Sequence, residues 1–228
     1  MKILKYTKKI IKKFLLNLLF PAHCLGCGRN GDWLCAKCSA SLAGFSIDRV
    51  NRDQLIIPNL DKIYIAGNYE NPLLAQLIKK FKYDFLFALG DTLGRRLADY
   101  WSRQLWLWPN LKANEILLVP IPLSKERYHW RGFNQAEILT RYLGREFGYE
   151  VSSALTKINH TAPQAELSEE GRLTNMAGCL CWTGGDLQSQ TVIIIDDVVT
   201  TGATLNEAAL CLRQAGAKKI YGLVLAKG

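Results

Sequence analysis

A run of apolar residues that ends in two adjacent acids places the strongest constraint on the fold of this chain. The residues from Val192 to Ile195 are all β-branched, which is typical of a strand buried on both faces inside a parallel sheet. Asp196 and Asp197 follow at once, at the carboxyl end where open α/β sheets bind their ligands. The sequence therefore predicts an α/β fold with a ligand site at the end of this strand.

Small and hydroxylated residues follow the two acids. Gly202 and Ala203 let the backbone approach a ligand closely, and a helix is predicted to begin near Leu205. Amides at a helix start, together with threonine hydroxyls, suit a phosphate group. Acids beside a phosphate would repel it unless they face another group, and vicinal sugar hydroxyls fit that role. The predicted ligand is a ribose 5-phosphate, and the alternative is an ordinary buried strand followed by a helix cap. The predicted ligand-binding residues are Asp196, Asp197, Val198, Val199, Thr200, Thr201, Gly202, Ala203 and Thr204.

This block resembles the phosphoribosyl pyrophosphate signature of type I phosphoribosyltransferases. The resemblance implies that Asp196 and Asp197 contact the ribose 2- and 3-hydroxyls and that Thr200 to Thr204 hold the 5-phosphate. It makes the two acids candidate catalytic residues, and it implies phosphoribosyl pyrophosphate with Mg²⁺ as the ligand. The implied fold is a type I phosphoribosyltransferase-like parallel sheet flanked by helices.

Two cysteine pairs near the amino terminus predict a metal site. Cys24 with Cys27, and Cys35 with Cys38, each form a tight turn, and two such pairs supply a tetrahedral set of thiolates. A structural Zn²⁺ is the predicted occupant of a small zinc-ribbon-like module, and the metal is expected to hold the module together. Disulfides are the alternative, and they would need an oxidising compartment. An unpaired remainder among the seven cysteines favours the cytoplasm.

Four parts are predicted along the chain: a basic amphipathic helix over 1–20, the four-cysteine module over 21–45, a linker over 46–58 and the α/β domain over 59–228. The first part places its lysines on one side of a helical wheel and its apolar residues on the other. It is too short to span a membrane and lacks a signal-peptide pattern. Such a helix packs on the protein, or its lysines meet a membrane surface or nucleic acid.

Strands alternate with helices along the α/β domain, which predicts a parallel sheet covered on both faces. The last predicted strand lies close to the end of the chain, so we expect no base-gripping segment after it. Further strands are predicted over 62–69, 116–119 and 219–225, and helices over 72–83, 90–106 and 135–147.

Three cations follow the strand predicted over 116–119. Lys125, Arg127 and Arg131 lie in a segment that two prolines stiffen, predicted as a loop at the same edge of the sheet as the acids. Such a group suits pyrophosphate, which carries charge as the leaving group in phosphoribosyl transfer. A solvated basic loop is the alternative. Residues 161–175 are predicted to form a mobile loop that closes on the ligand.

A third cationic group mixes lysines with aromatic residues. Lys79, Lys80 and Lys82 flank Phe81 and Tyr83, a combination suited to a single-stranded nucleic acid. The alternative is that the two aromatic residues belong to the core and the lysines are merely solvated.

Six motifs follow one another along nearly the full length of the chain, after a basic apolar helix that ends in Phe20 and Pro21. They are the two cysteine pairs, the residues from Ile78 to Tyr83, from Pro120 to Ser124, from Arg131 to Glu137 and from Thr161 to Asn175, and the ribose-phosphate block. In this order of motifs the chain resembles the ComF family. The resemblance implies a role in natural transformation, with imported single-stranded DNA and competence-machinery proteins as partners. Two functions stay open: a module that binds phosphoribosyl pyrophosphate without catalysis, and a true phosphoribosyltransferase with an unknown acceptor.

Overall fold

A computed structural model of the protein describes residues 22–43, 55–83, 88–108, 112–157, 179–188 and 190–228. The predicted basic helix over 1–20, residues 46–54 of the predicted linker and the predicted closing loop over 161–175 lie outside the described residues. Within the described ranges, no helix combines the length and the apolar content that crossing a bilayer requires.

A five-stranded parallel sheet forms the centre of the protein, in the order β1-β7-β6-β2-β3. A separate antiparallel pair, β4 with β5, lies beside it. The parallel sheet predicted from the alternation of elements is therefore confirmed. The strands are β1 (Lys62–Ile65), β2 (Ile116–Pro120), β3 (Glu150–Val151), β4 (Leu155–Lys157), β5 (Leu180–Trp182), β6 (Thr191–Val199) and β7 (Lys219–Lys227).

Helices cover both faces of the sheet. The helices are α1 (Ala36–Ala43), α2 (Pro72–Tyr83), α3 (Leu89–Ser102), α4 (Lys125–Arg131), α5 (Gln135–Phe147) and α6 (Ala203–Gln214). On one face, α2, α3 and α5 pack in the same apolar cluster as Ile193 and Ile195 of β6. On the other face, α6 packs with Val192 and Ile194. All four of these β6 side chains are fully buried, as their β-branched run predicts.

Several predicted boundaries shift. The bounds of α2 and α5 are those predicted, whereas β1 ends at Ile65 rather than at 69, and β6 and β7 extend further than predicted. The helix predicted over 90–106 ends at Ser102, before a short 3₁₀ turn at Leu105–Leu107. The turn lets Trp108 fold back, where its Nε1 donates to the Tyr64 hydroxyl at 3.1 Å. The half-buried indole of Trp108 packs against the rings of Tyr64, Trp101 and Tyr221.

The segment that carries the three cations is a helix, not the predicted loop. Ser124 caps α4, its Oγ accepting a hydrogen bond from the backbone N–H of Arg127 at 3.3 Å. Gly132 ends the helix with a φ of 75°, a conformation that glycine adopts without steric cost. Both capping residues are present in the sequence, whereas the two prolines before the helix are typical of a loop.

The cysteine module packs on the main core. Leu34 and Leu42 of the module are buried in the cluster that also holds α2, α3 and α5. Arg96 of α3 joins the two parts, because its Nη2 lies 3.3 Å from the backbone oxygen of Leu42 and 3.4 Å from that of Ala66. The module thus shares the apolar core of the α/β domain.

Candidate functional site

The position of the site follows from the topology of the sheet. Strands β2 and β6 are neighbours in the sheet. After β2 the chain passes through α5 to β3, which lies next to β2 at one edge of the sheet. After β6 it passes through α6 to β7, which lies on the other side of β6. Open α/β sheets bind ligands in the crevice at the carboxyl ends of two such strands. The segments that enter this crevice are those that follow Pro120 and those around Asp196 and Asp197.

The two acids lie within β6 rather than after it. Strand β2 ends where Pro120 pairs with Ile195, but β6 continues along β7, with Asp196 opposite Val224. Successive side chains of a strand point to opposite faces. Asp197 is therefore in phase with Ile195, and its contact with Lys82 places it on the α2 face of the sheet. The Asp196 carboxyl still interacts with it, because the pKa of Asp196 is raised by burial and also by the charge of Asp197.

Asp197 is held by a lysine from α2. Its side chain is 9% exposed, and its Oδ1 lies 3.0 Å from Nζ of Lys82, whose side chain is 19% exposed. Its Oδ2 is buried and has no hydrogen-bond partner among the described residues. A buried carboxylate oxygen without a donor is costly, so a hydroxyl donated by a ligand would satisfy it.

Asp196 has a different environment. Its Oδ1 accepts a hydrogen bond from the backbone N–H of Asp197 at 2.8 Å. Burial raises the pKa of Asp196, and the negative charge of Asp197 raises it further. Adjacent carboxylates in this position favour a ligand that offers hydrogen-bond donors, as the vicinal hydroxyls of a ribose do.

The turn after β6 leads directly into the first turn of α6. Gly202 sits at the start of α6 with a φ of 81°, and a Cβ there would lie 2.7 Å from Cδ1 of Ile57. Only glycine fits this close approach without strain. Thr200 and Thr201 are exposed, and the first turn of α6 carries no acid. Exposed hydroxyls and amides at the start of a helix are suited to an anionic group.

The three cations of α4 are not brought together on one surface. Lys125 and Arg127 are exposed near the start of the helix, whereas Arg131 at its end is 7% exposed. Arg131 Nη1 donates to Oε1 of Gln135 at 2.7 Å, and its Nε has no hydrogen-bond partner among the described residues. Arg131 is thus a buried cation with only part of its hydrogen-bonding capacity used among the described residues, whereas Lys125 and Arg127 are solvated cations.

The three lysines of α2 also separate. Lys79 is exposed and Lys80 half-buried, while Lys82 turns inward to Asp197. Phe81 is fully buried in the core, and Tyr83 is 52% exposed. Sequence reasoning did not place Lys82 beside the acids, because this contact depends on how α2 packs on the sheet and has no local signal.

The four cysteines of the predicted metal site converge. Their Sγ atoms all lie within 4.8 Å of one another, and those of Cys27 and Cys35 are 3.7 Å apart. Tetrahedral coordination at a zinc–sulfur distance of about 2.3 Å implies a spacing of roughly 3.8 Å between sulfurs. Gly26 permits the approach, since a Cβ there would lie 2.8 Å from Sγ of Cys38. This cluster could hold a metal ion.

The thiols themselves show why a cation fits. Burial raises the pKa of Cys24, but hydrogen bonds from the backbone amides of Cys35, Gly26 and Cys27 outweigh it and lower the pKa. Burial and the neighbouring thiols raise the pKa of Cys38. Four thiolates at one point need a positive charge between them, which a divalent metal supplies.

Comparison with known proteins agrees with the geometry. A family model described as "Phosphoribosyl transferase domain" matches residues 131–228, a range that includes β6 and the turn that follows it. A solved structure titled as a hypoxanthine phosphoribosyltransferase from Staphylococcus aureus aligns with a TM-score of 0.36 and 12% identity, covering 60% of this chain and 64% of that chain. That likeness is too distant to carry an argument.

Three other proteins share a higher sequence identity with this chain. "Competence protein F" of Haemophilus influenzae is 34% identical over 173 residues, which is 75% of this chain and 74% of that protein. "Competence protein ComFC" of Bacillus subtilis is 31% identical over 72% of this chain and 62% of that protein. "DNA utilization protein YhgH" of Escherichia coli is 36% identical over 72% of this chain and 70% of that protein. By these similarities the chain belongs to the ComF family, as a competence-related protein with a phosphoribosyltransferase-like domain.

Proposed function

We propose that the protein binds phosphoribosyl pyrophosphate together with Mg²⁺ in the crevice between β2 and β6. The Oδ2 of Asp197 carries this proposal, because it is buried without a hydrogen-bond partner in the described part of the chain and needs a donor that a ribose hydroxyl would provide. Asp196 takes the second hydroxyl, and the turn from Thr200 to Thr204 takes the 5-phosphate. Magnesium is held mainly by oxygens of the ligand and by water, as this ion prefers.

The pyrophosphate end of the ligand is assigned to the segment after β2. Lys125 and Arg127 are exposed at the start of α4, whose cap residue Ser124 follows Pro120 by four positions. Solvated cations near a crevice attract a polyanion and stabilise a departing pyrophosphate. The buried Arg131 contributes its positive charge to the pyrophosphate end of the site from inside the protein.

The cysteine cluster is proposed to hold a structural Zn²⁺. All four ligands come from the chain, so the coordination is closed and leaves no position for substrate. The cluster joins the turn at Gly26 to α1 and thereby fixes the module on the face formed by α2 and α3. We assign the protein to the cytoplasm, where a reducing environment suits the cysteines outside the cluster, Cys179, Cys181 and Cys211.

Ligand specificity tests the proposal. A ligand that binds the folded protein raises its melting temperature in proportion to the logarithm of its concentration over Kd. We expect phosphoribosyl pyrophosphate with Mg²⁺ to raise the melting temperature most, ribose 5-phosphate to raise it less, and pyrophosphate to raise it least. Equal shifts with pyrophosphate and with phosphoribosyl pyrophosphate would show that the acids bind no sugar.

Binding is expected to release a proton. The pKa of Asp196 is raised in the free protein, so a fraction of this carboxyl carries a proton around and below that pKa. A ribose hydroxyl donates to the charged form, which means that affinity should increase as the pH rises and then level off. Calorimetry in buffers of different ionisation enthalpy measures the release. The Asp196→Asn variant should release fewer protons than the wild type at the same pH, because only the contribution of the ligand phosphates remains. Equal release from the two proteins contradicts the assignment.

Lys82 is proposed to position Asp197. Replacement by methionine keeps the length of the side chain but leaves a buried carboxylate without its cation. We expect a loss of about 3 kcal/mol in the free energy of unfolding. Urea denaturation measures the loss, with Lys79→Met as the exposed control on the same helix. Equal stability of the two variants contradicts the role of Lys82.

Two chemical outcomes are open to such a site. A transferase releases pyrophosphate when an acceptor is present, whereas a binding module retains the ligand intact. Release of pyrophosphate with a panel of nucleobases or nucleotides separates the two.

A second function, the binding of single-stranded DNA, is proposed for the outer face of α2. The name of one relative, "DNA utilization protein YhgH", refers to DNA, and that of another, "Competence protein F", refers to competence. The exposed Lys79 and the half-exposed Tyr83 supply a cation and a stacking surface on this helix. Partner proteins of the competence machinery belong to the same proposal.

A further inference from the structure

Two large aromatic side chains are exposed side by side at the ends of α2 and α4. Tyr83 is 52% exposed and Trp130 is 56% exposed. Their ring centroids are 5.8 Å apart with an interplanar angle of 56°. Exposed aromatic rings that meet from different elements form an apolar patch in water, and such patches mark binding surfaces.

A buried cation supports this pair of rings. The guanidinium carbon of Arg131 lies 5.4 Å from the ring centroid of Tyr83 and 6.0 Å from that of Trp130. Its hydrogen bond to Gln135 holds the guanidinium in place. Arg131 Nε and Gln135 Nε2 are buried donors without a hydrogen-bond partner among the described residues. The rings and the guanidinium thus form a platform that combines π surfaces with positive charge.

A basic groove leads to this platform along the outer side of α2. The groove has a volume of about 450 Å³ and is lined by Pro72, Ala75, Gln76, Lys79, Lys80 and Tyr83. Helix α2 carries no acidic residue. Tyr83 belongs both to the groove and to the aromatic pair, so the two features are continuous. The lysines of the groove and the aromatic pair at its end match a polymer that carries negative charges along its backbone and flat rings as side groups.

We propose that Tyr83, Trp130 and Arg131 form a base-stacking site for single-stranded nucleic acid, and that Lys79 and Lys80 contact its phosphates. This inference rests on the second part of the proposed function and names the surface that performs it. Stacking on aromatic side chains tolerates any base, while lysines along a groove follow the backbone. Phe81 takes no part because it is buried in the core.

The platform adjoins the donor site through the last turn of α2. Lys82 points inward to Asp197, while its neighbour Tyr83 points outward to Trp130. A base stacked on Tyr83 would therefore lie on a different side of this helical turn from the ribose-binding acid. Arg131 is assigned to both sites, whereas Tyr83 and Trp130 belong to the stacking site alone, so variants of these two residues leave the donor contacts in place.

Fluorescence anisotropy of a labelled oligothymidine, titrated with the full chain at low salt, tests the stacking site. Replacing both Tyr83 and Trp130 by leucine keeps apolar bulk but removes the π surfaces, and we expect at least tenfold weaker binding. The matched control replaces Tyr128 and Trp106 by leucine, since these residues are 49% and 76% exposed. The control should bind as the wild type does. Equal weakening in both double variants overturns the proposal.

Salt dependence and donor binding complete the test. The Lys79→Ala variant should bind with a shallower decrease in affinity as salt increases, because fewer counterions are displaced. A slope equal to that of the wild type contradicts the phosphate contact.

Phosphoribosyl pyrophosphate should bind the leucine variant of Tyr83 and Trp130 unchanged, which also shows that this variant is folded. If the wild type binds no oligothymidine at low salt, the stacking site fails while the donor site stands. If it binds oligothymidine but no phosphoribosyl pyrophosphate, only the donor proposal fails.

Discussion

Replacement of Cys35 by serine is expected to release the metal and to unfold the cysteine module. Cys35 is central to the cluster: its Sγ lies 3.7 Å from that of Cys27, and its backbone N–H donates to Sγ of Cys24 at 3.3 Å. A serine hydroxyl is a poor zinc ligand, and binding of a structural zinc supplies roughly 10–16 kcal/mol of folding free energy. Metal analysis and hydrogen exchange over residues 22–43 measure the two effects.

The effect on the rest of the protein should be smaller. Leu34 and Leu42 pack on the same apolar cluster as α2 and α3, so loss of the module exposes part of that cluster. The parallel sheet is expected to persist with a lower melting temperature, because β6 and its neighbours pair independently of the module. Cys211→Ser is a suitable control, since Cys211 is half-buried on α6 and outside the cluster. A Cys35→Ser variant that keeps its zinc and its protected amides would contradict the assignment.

Replacement of Asp196 and Asp197 together by asparagine is expected to remove most of the affinity for phosphoribosyl pyrophosphate. Each carboxylate is assigned one charge-assisted hydrogen bond to a ribose hydroxyl, worth about 1.5–3 kcal/mol. Loss of both should cost at least about 3 kcal/mol, a weakening of more than a hundredfold. Asparagine preserves the volume of the side chain. Asp99→Asn, at an exposed position on α3, is the control for a change of charge elsewhere.

Because Asp197 also pairs with Lys82, the double variant needs a check of its fold. Circular dichroism at the temperature of the binding measurement supplies it. A folded double variant with wild-type affinity for the ligand refutes the role of the acids.

The elements that the sequence predicted well are those whose pattern is local. The buried run from Val192 to Ile195 specifies a central parallel strand, and the bounds of α2 and α5 follow from their apolar periodicity. The spacing of the cysteines likewise specifies their convergence, because each pair closes within one turn. In each case contiguous residues contain the whole signal.

The features that were missed depend on tertiary packing or on weak local signals. Lys82 reaches Asp197 because α2 packs over the carboxyl end of β6, and Trp130 reaches Tyr83 because α4 ends beside α2. Neither contact has a trace in the spacing of residues along the chain. Helix α4 itself was predicted as a loop, since a helix of seven residues gives too short a periodic pattern to outweigh the prolines before it.

Calorimetric titration of phosphoribosyl pyrophosphate into the wild-type protein tests the central claim most directly. In the presence of Mg²⁺ we expect saturable binding of about one ligand per chain, lost in the Asp196→Asn, Asp197→Asn double variant and retained in Asp99→Asn. Without Mg²⁺ the binding should weaken, because the pyrophosphate then enters the crevice with its charge unscreened. No saturable heat with the folded wild-type protein at millimolar ligand and Mg²⁺, or equal heat from the double variant, would contradict a ribose-phosphate site at the end of β6.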